Sequence, residues 1–346
     1  MIFTNNYPMI KVKLSTAFPD WLLERQTPGA HGIWGNCEFL INKEIDECDY
    51  WVVYDDLLKP EKVKCLKENT LLITGEPPSV KKYSGEYINQ FSNILTCHRD
   101  LKHSGVIYSQ QGLPWMLGRK YFNATKSWES QFSKGYDEFL KVQPINKNKI
   151  LSVILSKKIS TDGHKKRDRF IKMLKSELGG IFDVFGVGIR DIEDKWDGIA
   201  PYKYHLALEN SLYPDYWTEK LSDAYLGGAF PIYYGCPNIL DYFPDKCLAS
   251  IDISKPKEAI KIIREIIDSN LYDRSLKYIN EARQLILDKY NLFAVIAEII
   301  EKTYHPKSGQ LRDNNYTVIT KDKVKSGLLN DIIFKTKKIY YFFKYF

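Results

Sequence analysis

The fold turns on Tyr202-Lys203-Tyr204-His205-Leu206-Ala207-Leu208-Glu209-Asn210-Ser211, followed by Asp215-Tyr216-Trp217-Thr218-Glu219-Lys220-Leu221. Tyr204 to Leu208 reads as a strand, and a short apolar run of this kind fits a strand buried on both faces of a parallel sheet. The second run leads into a helix, with Thr218 as the expected N-cap and Glu219 and Lys220 in the first turn. Free N–H groups and partial positive charge at such a helix start attract phosphate, and Lys220 adds a full charge. The same residues also read as an ordinary capped helix with an exposed lysine.

Working outward, the pattern repeats on both sides. Downstream come a helix from about Glu219 and strands at Phe230–Tyr234 and Leu248–Ile251, then helices near 255–269 and 271–304. Upstream lie strands at Ile150–Leu155 and Ile181–Phe185. Between them a helix from Lys165 to Leu178 puts Phe170, Met173, Leu174 and Leu178 on one face, and Gly179-Gly180 ends it. An earlier series gives strands at Ile10–Leu14, Tyr50–Tyr54, Thr70–Thr74, Asn93–Thr96 and Val106–Tyr108. A polar, lysine-rich stretch from about 126 to 149 separates the two series. The chain is therefore expected to be α/β, with two βα domains at 1–148 and 149–306 and a tail at 307–346. Open sheets of this kind bind ligands at the carboxyl ends of their strands.

At 346 residues, with 44% hydrophobic and 27% charged side chains, the chain suits two soluble domains. No apolar run is long enough to span a bilayer, and Met1 to Asn6 lack the look of a secretory signal. Cys37, Cys48, Cys65, Cys97, Cys236 and Cys247 form no C-x-x-C pair, so buried thiols are expected rather than disulfides or zinc. The net charge is +7, and residues 307–346 carry +6 of it. The nearly neutral body lacks the basic face of a nucleic-acid binder. The end of the tail, Lys337-Lys338-Ile339-Tyr340-Tyr341-Phe342-Phe343-Lys344-Tyr345-Phe346, suits an anionic membrane interface. A terminal helix packed on the body is the other reading.

The run from Tyr202 to Ser211, the run from Asp215 to Tyr225, and Pro231-Ile232-Tyr233-Tyr234-Gly235-Cys236-Pro237 together resemble the donor-domain signature of glycosyltransferase family 10, the α-1,3/4-fucosyltransferases. The resemblance covers about 150–255, with a weaker echo at Ile73-Thr74-Gly75-Glu76-Pro77. It implies a GT-B fold, two Rossmann-like domains facing across a cleft, and inverting transfer of fucose from GDP-fucose to a glycan hydroxyl. It implies that Lys220 and Arg167 contact the donor diphosphate, with Arg169 competing for the second role. Glu219 would hold the ribose, Tyr216 would line the donor site with Thr218, and Glu209 and Asn210 would shape the sugar pocket. Glu76 would be the general base, where a solvated loop glutamate is the plainer reading. Pro77-Pro78 departs from the polar residues usual there.

Competing motifs fail. Gly186-x-Gly188 follows a strand, but position 191 is Asp where a dinucleotide fingerprint needs its third glycine. No Asp-x-Asp metal motif occurs, and Asp55-Asp56 read as a helix cap. Neither a cofactor nor a metal is expected, because Lys and Arg can stabilise a departing diphosphate. Trp34, and Trp115 after Gln110-Gln111-Gly112-Leu113-Pro114, could stack on sugars, although buried Trp is commoner. The expected partners are a nucleotide-sugar donor, a glycan acceptor such as an N-acetylglucosamine-containing surface polysaccharide or lipopolysaccharide, and an anionic membrane. The expected setting is the cytoplasmic face of the inner membrane, with no anchor ahead of the catalytic body. A same-fold transferase with another nucleotide sugar, or an inactive glycan-binding module, are the alternatives.

Overall fold

Strands Tyr50–Tyr54 and Thr70–Ile73 are buried at every position, as apolar runs without alternation require when both sheet faces are covered. They form the middle of a seven-stranded sheet. Its order is Ile33–Trp34, Cys37–Ile41, Ile10–Thr16, Tyr50–Tyr54, Thr70–Ile73, Asn93–Thr96 and Val106–Tyr108. All neighbours run parallel except the first pair. A second sheet has five parallel strands in the order Phe182–Phe185, Lys149–Ile154, Tyr202–Leu208, Phe230–Tyr234 and Ala249–Ser250. The computed structural model describes residues 8–122, 124–125, 127–141, 146–155, 162–186, 189–306 and 316–322, leaving the side chains of 162–164 aside.

Each sheet is the centre of one compact unit. The first unit comprises the described residues of 1–114, 135–137 and 289–325, and the second those of 115–134 and 138–288. In the second unit Asp162–Leu178, Glu219–Leu226, Pro256–Asp268 and Leu271–Asp288 are the long helices. The division differs from the expected cut at 148 in two places. Residues 115–134 join the second unit because two buried aspartates hold their backbone. Asp223 accepts from the N–H groups of Met116 at 3.0 Å and Leu117 at 3.1 Å, and Asp194 accepts from Gly118 at 3.0 Å. The expected helix 271–304 is two helices. Asn291 breaks it, capping Leu292–Thr303 through Phe293 N–H and donating to the Gln26 carbonyl at 2.7 Å. The second of these helices belongs to the first unit, where Phe293 meets Phe39 edge-on.

The tail differs from expectation as well. Tyr316–Ile319 is a strand, antiparallel to Glu61–Lys64, and its alternating exposure buries Thr317 and Ile319. Ile319 joins the cluster of Val63, Leu72, Phe91 and Ile94. Residues 323–346, which carry the aromatic end and the membrane expectation, lie outside the described residues, as does Gly188. None of the six cysteines is in a disulfide, and all are buried. No helix among the described residues is long and apolar enough to cross a membrane.

Asp223 also faces the buried Lys195 ammonium at 3.1 Å. Replacing it with alanine strands that cation and two backbone donors. Asp223→Ala should therefore lower stability by about 3–5 kcal/mol in urea unfolding, and a loss under about 1 kcal/mol would show that the aspartate does not hold the 115–134 segment.

Candidate functional site

The strand Tyr202–Leu208 ends against Glu209, whose backbone N–H continues the pairing by donating to the Tyr234 carbonyl at 2.7 Å. The Glu209 carboxylate is shut off from solvent. One of its oxygens, Oε1, accepts from the Thr218 N–H at 2.8 Å, and the Thr218 hydroxyl reaches both oxygens at 2.9 Å. Thr218 is the N-cap of Glu219–Leu226 and accepts from Lys220 N–H. Local sequence thus folds as expected here, and the cap doubles as the carboxylate's partner.

Lys220 bends back over this cap. Its Nζ lies 3.0 Å from the Thr218 hydroxyl, 3.1 Å from Glu219 Oε1 and 3.2 Å from Glu209 Oε2. Burial works against the ammonium, but Glu209 and Glu219 outweigh it and hold its pKa above the usual lysine range. Burial pushes the Glu209 carboxyl up, and neighbouring Glu219 adds to that. Glu219 is buried too, yet Lys220 and Lys195 outweigh the burial and draw it down. Arg167, on the helix Asp162–Leu178, donates to Asn210 Oδ1 at 2.6 Å and to the Leu208 carbonyl at 3.4 Å. Burial lowers its pKa to about 10, so it stays charged at neutral pH. Arg169 is exposed. Of the two arginines, Arg167 is the one that meets Asn210.

Glu209, Asn210, Thr218, Glu219, Lys220 and Arg167 are thus gathered at the carboxyl end of one parallel strand. Two cations stand among two carboxylates, so the charges are fixed in place before any ligand arrives. Tyr216 is buried in the turn before the cap. That turn is pinned by Asp215, at φ 63°, whose Oδ1 accepts from Asn238 at 2.8 Å and from the Tyr242 hydroxyl at 2.6 Å. The sequence reading missed these supports. It also missed the role of Gly235, where a Cβ would come within 2.5 Å of Glu209 Cγ; the glycine lies within the quoted Pro231–Pro237 motif.

Glu76 belongs to the first unit. It follows the strand Thr70–Ile73 at its carboxyl end and is buried, 4% exposed, so the solvated loop glutamate is not what forms. Its backbone is gripped on both sides. The Gly75 N–H donates to Asp55 Oδ1 at 3.3 Å and to the Tyr83 hydroxyl at 3.1 Å. The Glu76 carbonyl accepts from His98 Nε2 at 2.7 Å, and burial takes the His98 pKa down to about 4, leaving a neutral donor at pH 7. Asp55 does not cap a helix: it sits at φ 64° directly after Tyr50–Tyr54. Trp115 is core, edge-on to Phe139, and Trp34 meets Tyr136 edge-on.

A family model covers the cluster around Glu209. Residues 145–285 match the model of glycosyltransferase family 10 (fucosyltransferase), C-terminal part. The chain is 29% identical over 112 residues to alpha-(1,3)-fucosyltransferase B of Drosophila melanogaster, covering 31% of this chain and 24% of that one. It is 37% identical over 83 residues to GDP-fucose protein O-fucosyltransferase 3 of Mus musculus, covering 23% and 17%. These matches span about a quarter or less of the relatives' length. A crystal structure of an α1,3-fucosyltransferase with GDP-fucose superposes with a TM-score of 0.50 at 15% identity, covering 88% of this chain and 93% of the other. At that identity the likeness carries the fold, which is of the GT-B class.

Thr218→Ala removes the cap and two bonds to a sealed carboxylate. The variant should lose about 2–3 kcal/mol in denaturant unfolding, whereas Thr218→Ser, which keeps the hydroxyl, should lose under about 1 kcal/mol; equal losses would show that the methyl packing matters and the hydroxyl does not.

Proposed function

We propose that the chain moves fucose from GDP-fucose to a hydroxyl of a glycan acceptor, with inversion at the anomeric carbon, a reading supported by the match of residues 145–285 to the model of glycosyltransferase family 10. The observation that carries this reading is the Lys220–Arg167 pair set among Glu209, Glu219 and Asn210 at the end of a parallel strand. As the bond from the anomeric carbon to the phosphate oxygen breaks, negative charge collects on departing GDP. Two cations already held in a buried site stabilise that charge without reorganisation. Lys220 exchanges one of its carboxylate partners for a phosphate oxygen, and Arg167 keeps its bond to Asn210 while facing the diphosphate. Glu219 takes the ribose hydroxyls, and Tyr216 and Thr218 wall the donor. Glu76 accepts the proton of the attacking hydroxyl, an assistance worth about 10²–10⁴-fold. The two cations do the work for which other transferases use a metal, so no metal or cofactor enters the scheme.

A second acceptor class has specific support. Two of the relatives are named GDP-fucose protein O-fucosyltransferase 3, which favours a peptide hydroxyl as an alternative to an N-acetylglucosamine-containing polysaccharide or lipopolysaccharide. The lysine-rich stretch after residue 322 is proposed to hold the enzyme peripherally on an anionic membrane, at the cytoplasmic face where lipid-linked acceptors are built.

The donor assignment is tested by thermal stabilisation. GDP and GDP-fucose should raise the melting temperature more than UDP does, and Lys220→Ala or Arg167→Ala should weaken GDP binding by roughly ten- to hundredfold. Equal stabilisation by UDP and GDP would remove the guanine assignment.

The tail assignment is tested by cutting after Asp322, which spares the docked strand. The shortened protein should lose binding to phosphatidylserine-containing vesicles yet still transfer to a soluble acceptor. Binding by the intact chain should fall as salt rises, because screening sets in over about 8 Å at physiological ionic strength. Absence of vesicle binding at low salt would end the membrane reading.

A further inference from the structure

Four acidic or basic side chains connect the docked C-terminal segment to the loop that carries Glu76. The Asp322 N–H donates to Asp56 Oδ1 at 3.1 Å, and the Asp322 carboxylate accepts from the Ser84 hydroxyl at 2.6 Å and from the Ser84 N–H at 3.3 Å. The Asp56 carboxylate lies 3.6 Å from Lys81 Nζ, and the same ammonium lies 3.2 Å from Asp55 Oδ2. The other oxygen of Asp55 holds the Gly75 N–H and accepts from the Tyr83 hydroxyl. Lys81 is also part of the turn itself, its N–H donating to the Pro77 carbonyl at 3.1 Å. The chain of contacts therefore runs Asp322, Asp56, Lys81, Asp55, Gly75, and ends one peptide bond from Glu76.

Three features give this chain a task beyond filling space. Asp55 adopts φ 64°, a conformation uncommon outside glycine. Gly75 leaves room for it, since a Cβ there would lie 3.2 Å from Asp55 Cβ. Lys81 Nζ lies 3.2 Å from Asp55 and 3.6 Å from Asp56, so removing its charge takes from the two buried carboxylates a cation that they share. Burial opposes the Lys81 charge, but Asp55 and Asp56 outweigh it and hold its pKa above the usual range.

We propose that Lys81 and Asp55 are positioning residues for Glu76, and that the segment Tyr316–Asp322 is the far anchor of the same device. The proposal rests on the reading of Glu76 as the base. A carboxylate displaced by about 1 Å can cost roughly 10²-fold in rate while the donor still binds.

The test is a double-mutant cycle, with GDP-fucose and an N-acetylglucosamine-containing oligosaccharide as substrates. Lys81→Met should lower kcat about ten- to hundredfold with the KM for GDP-fucose within about twofold, and Lys81→Arg should restore most of it. In a Glu76→Gln background, itself slowed by about 10²-fold or more, Lys81→Met should cost little further, because there is no base left to misplace. Asp322→Asn, at the far end of the chain of contacts, should show the same non-additivity if Lys81→Met folds poorly. Losses that multiply in the double variants would overturn the positioning role while leaving the base in place. A Glu76→Gln enzyme with normal turnover would overturn the base reading and this proposal together.

Discussion

A carboxylate sealed from water must be met by hydrogen bonds and opposite charge, and the second unit is organised around that demand at Glu209. Thr218 meets it with a backbone N–H and a hydroxyl, which fixes where the helix Glu219–Leu226 begins. Lys220 meets it with an ammonium, which brings Glu219 into the same cluster. Gly235 meets it by having no side chain. The cluster is consequently fixed in its charges: Lys220 and Arg167 are each oriented by protein groups.

The helix start at Thr218 was legible because its chemistry is local. Thr218, Glu219 and Lys220 are neighbours in sequence and on the helix's first turn, so spacing alone brought them together. The strands Tyr50–Tyr54, Asn93–Thr96 and Val106–Tyr108 were legible for the same reason, since each is an uninterrupted apolar or β-branched run. What remained hidden depends on partners far away in the chain. Asp55 and Asp56 look like a cap from sequence, yet their partners are Lys81, Tyr83 and Asp322. The break at Asn291 is invisible in the helical periodicity because Gln26, which rewards it, is 265 positions away. The polar stretch after 126 looked like a linker because composition cannot reveal that Asp194 and Asp223 hold the segment before it.

The strand Tyr316–Ile319 makes the same point for the tail. Its alternation of buried Thr317 and Ile319 with exposed Tyr316 and Val318 is a half-buried strand pattern, but four residues within a lysine-rich stretch give it little weight. Its partner, Glu61–Lys64, would otherwise present an open edge, a liability that proteins cover. The tail is therefore two things in sequence: a docked strand ending near Asp322, and a basic stretch beyond it.

The way the chain shares out its segments also sets an order of assembly. The first unit begins at the N-terminus, but Phe39 waits for Phe293, Tyr50 for Thr303 and Val63 for Ile319. The second unit, by contrast, has all of its described residues by Asp288. On a ribosome adding about 5–20 residues per second, the half that is started first is finished last. Its sheet must persist for on the order of 10–40 s with apolar faces uncovered while the other half closes. The nascent chain is thus most in need of a holding chaperone on the side that carries Glu76, and synthesis arrested between residues 288 and 316 would leave a completed second unit attached to an unfinished first one.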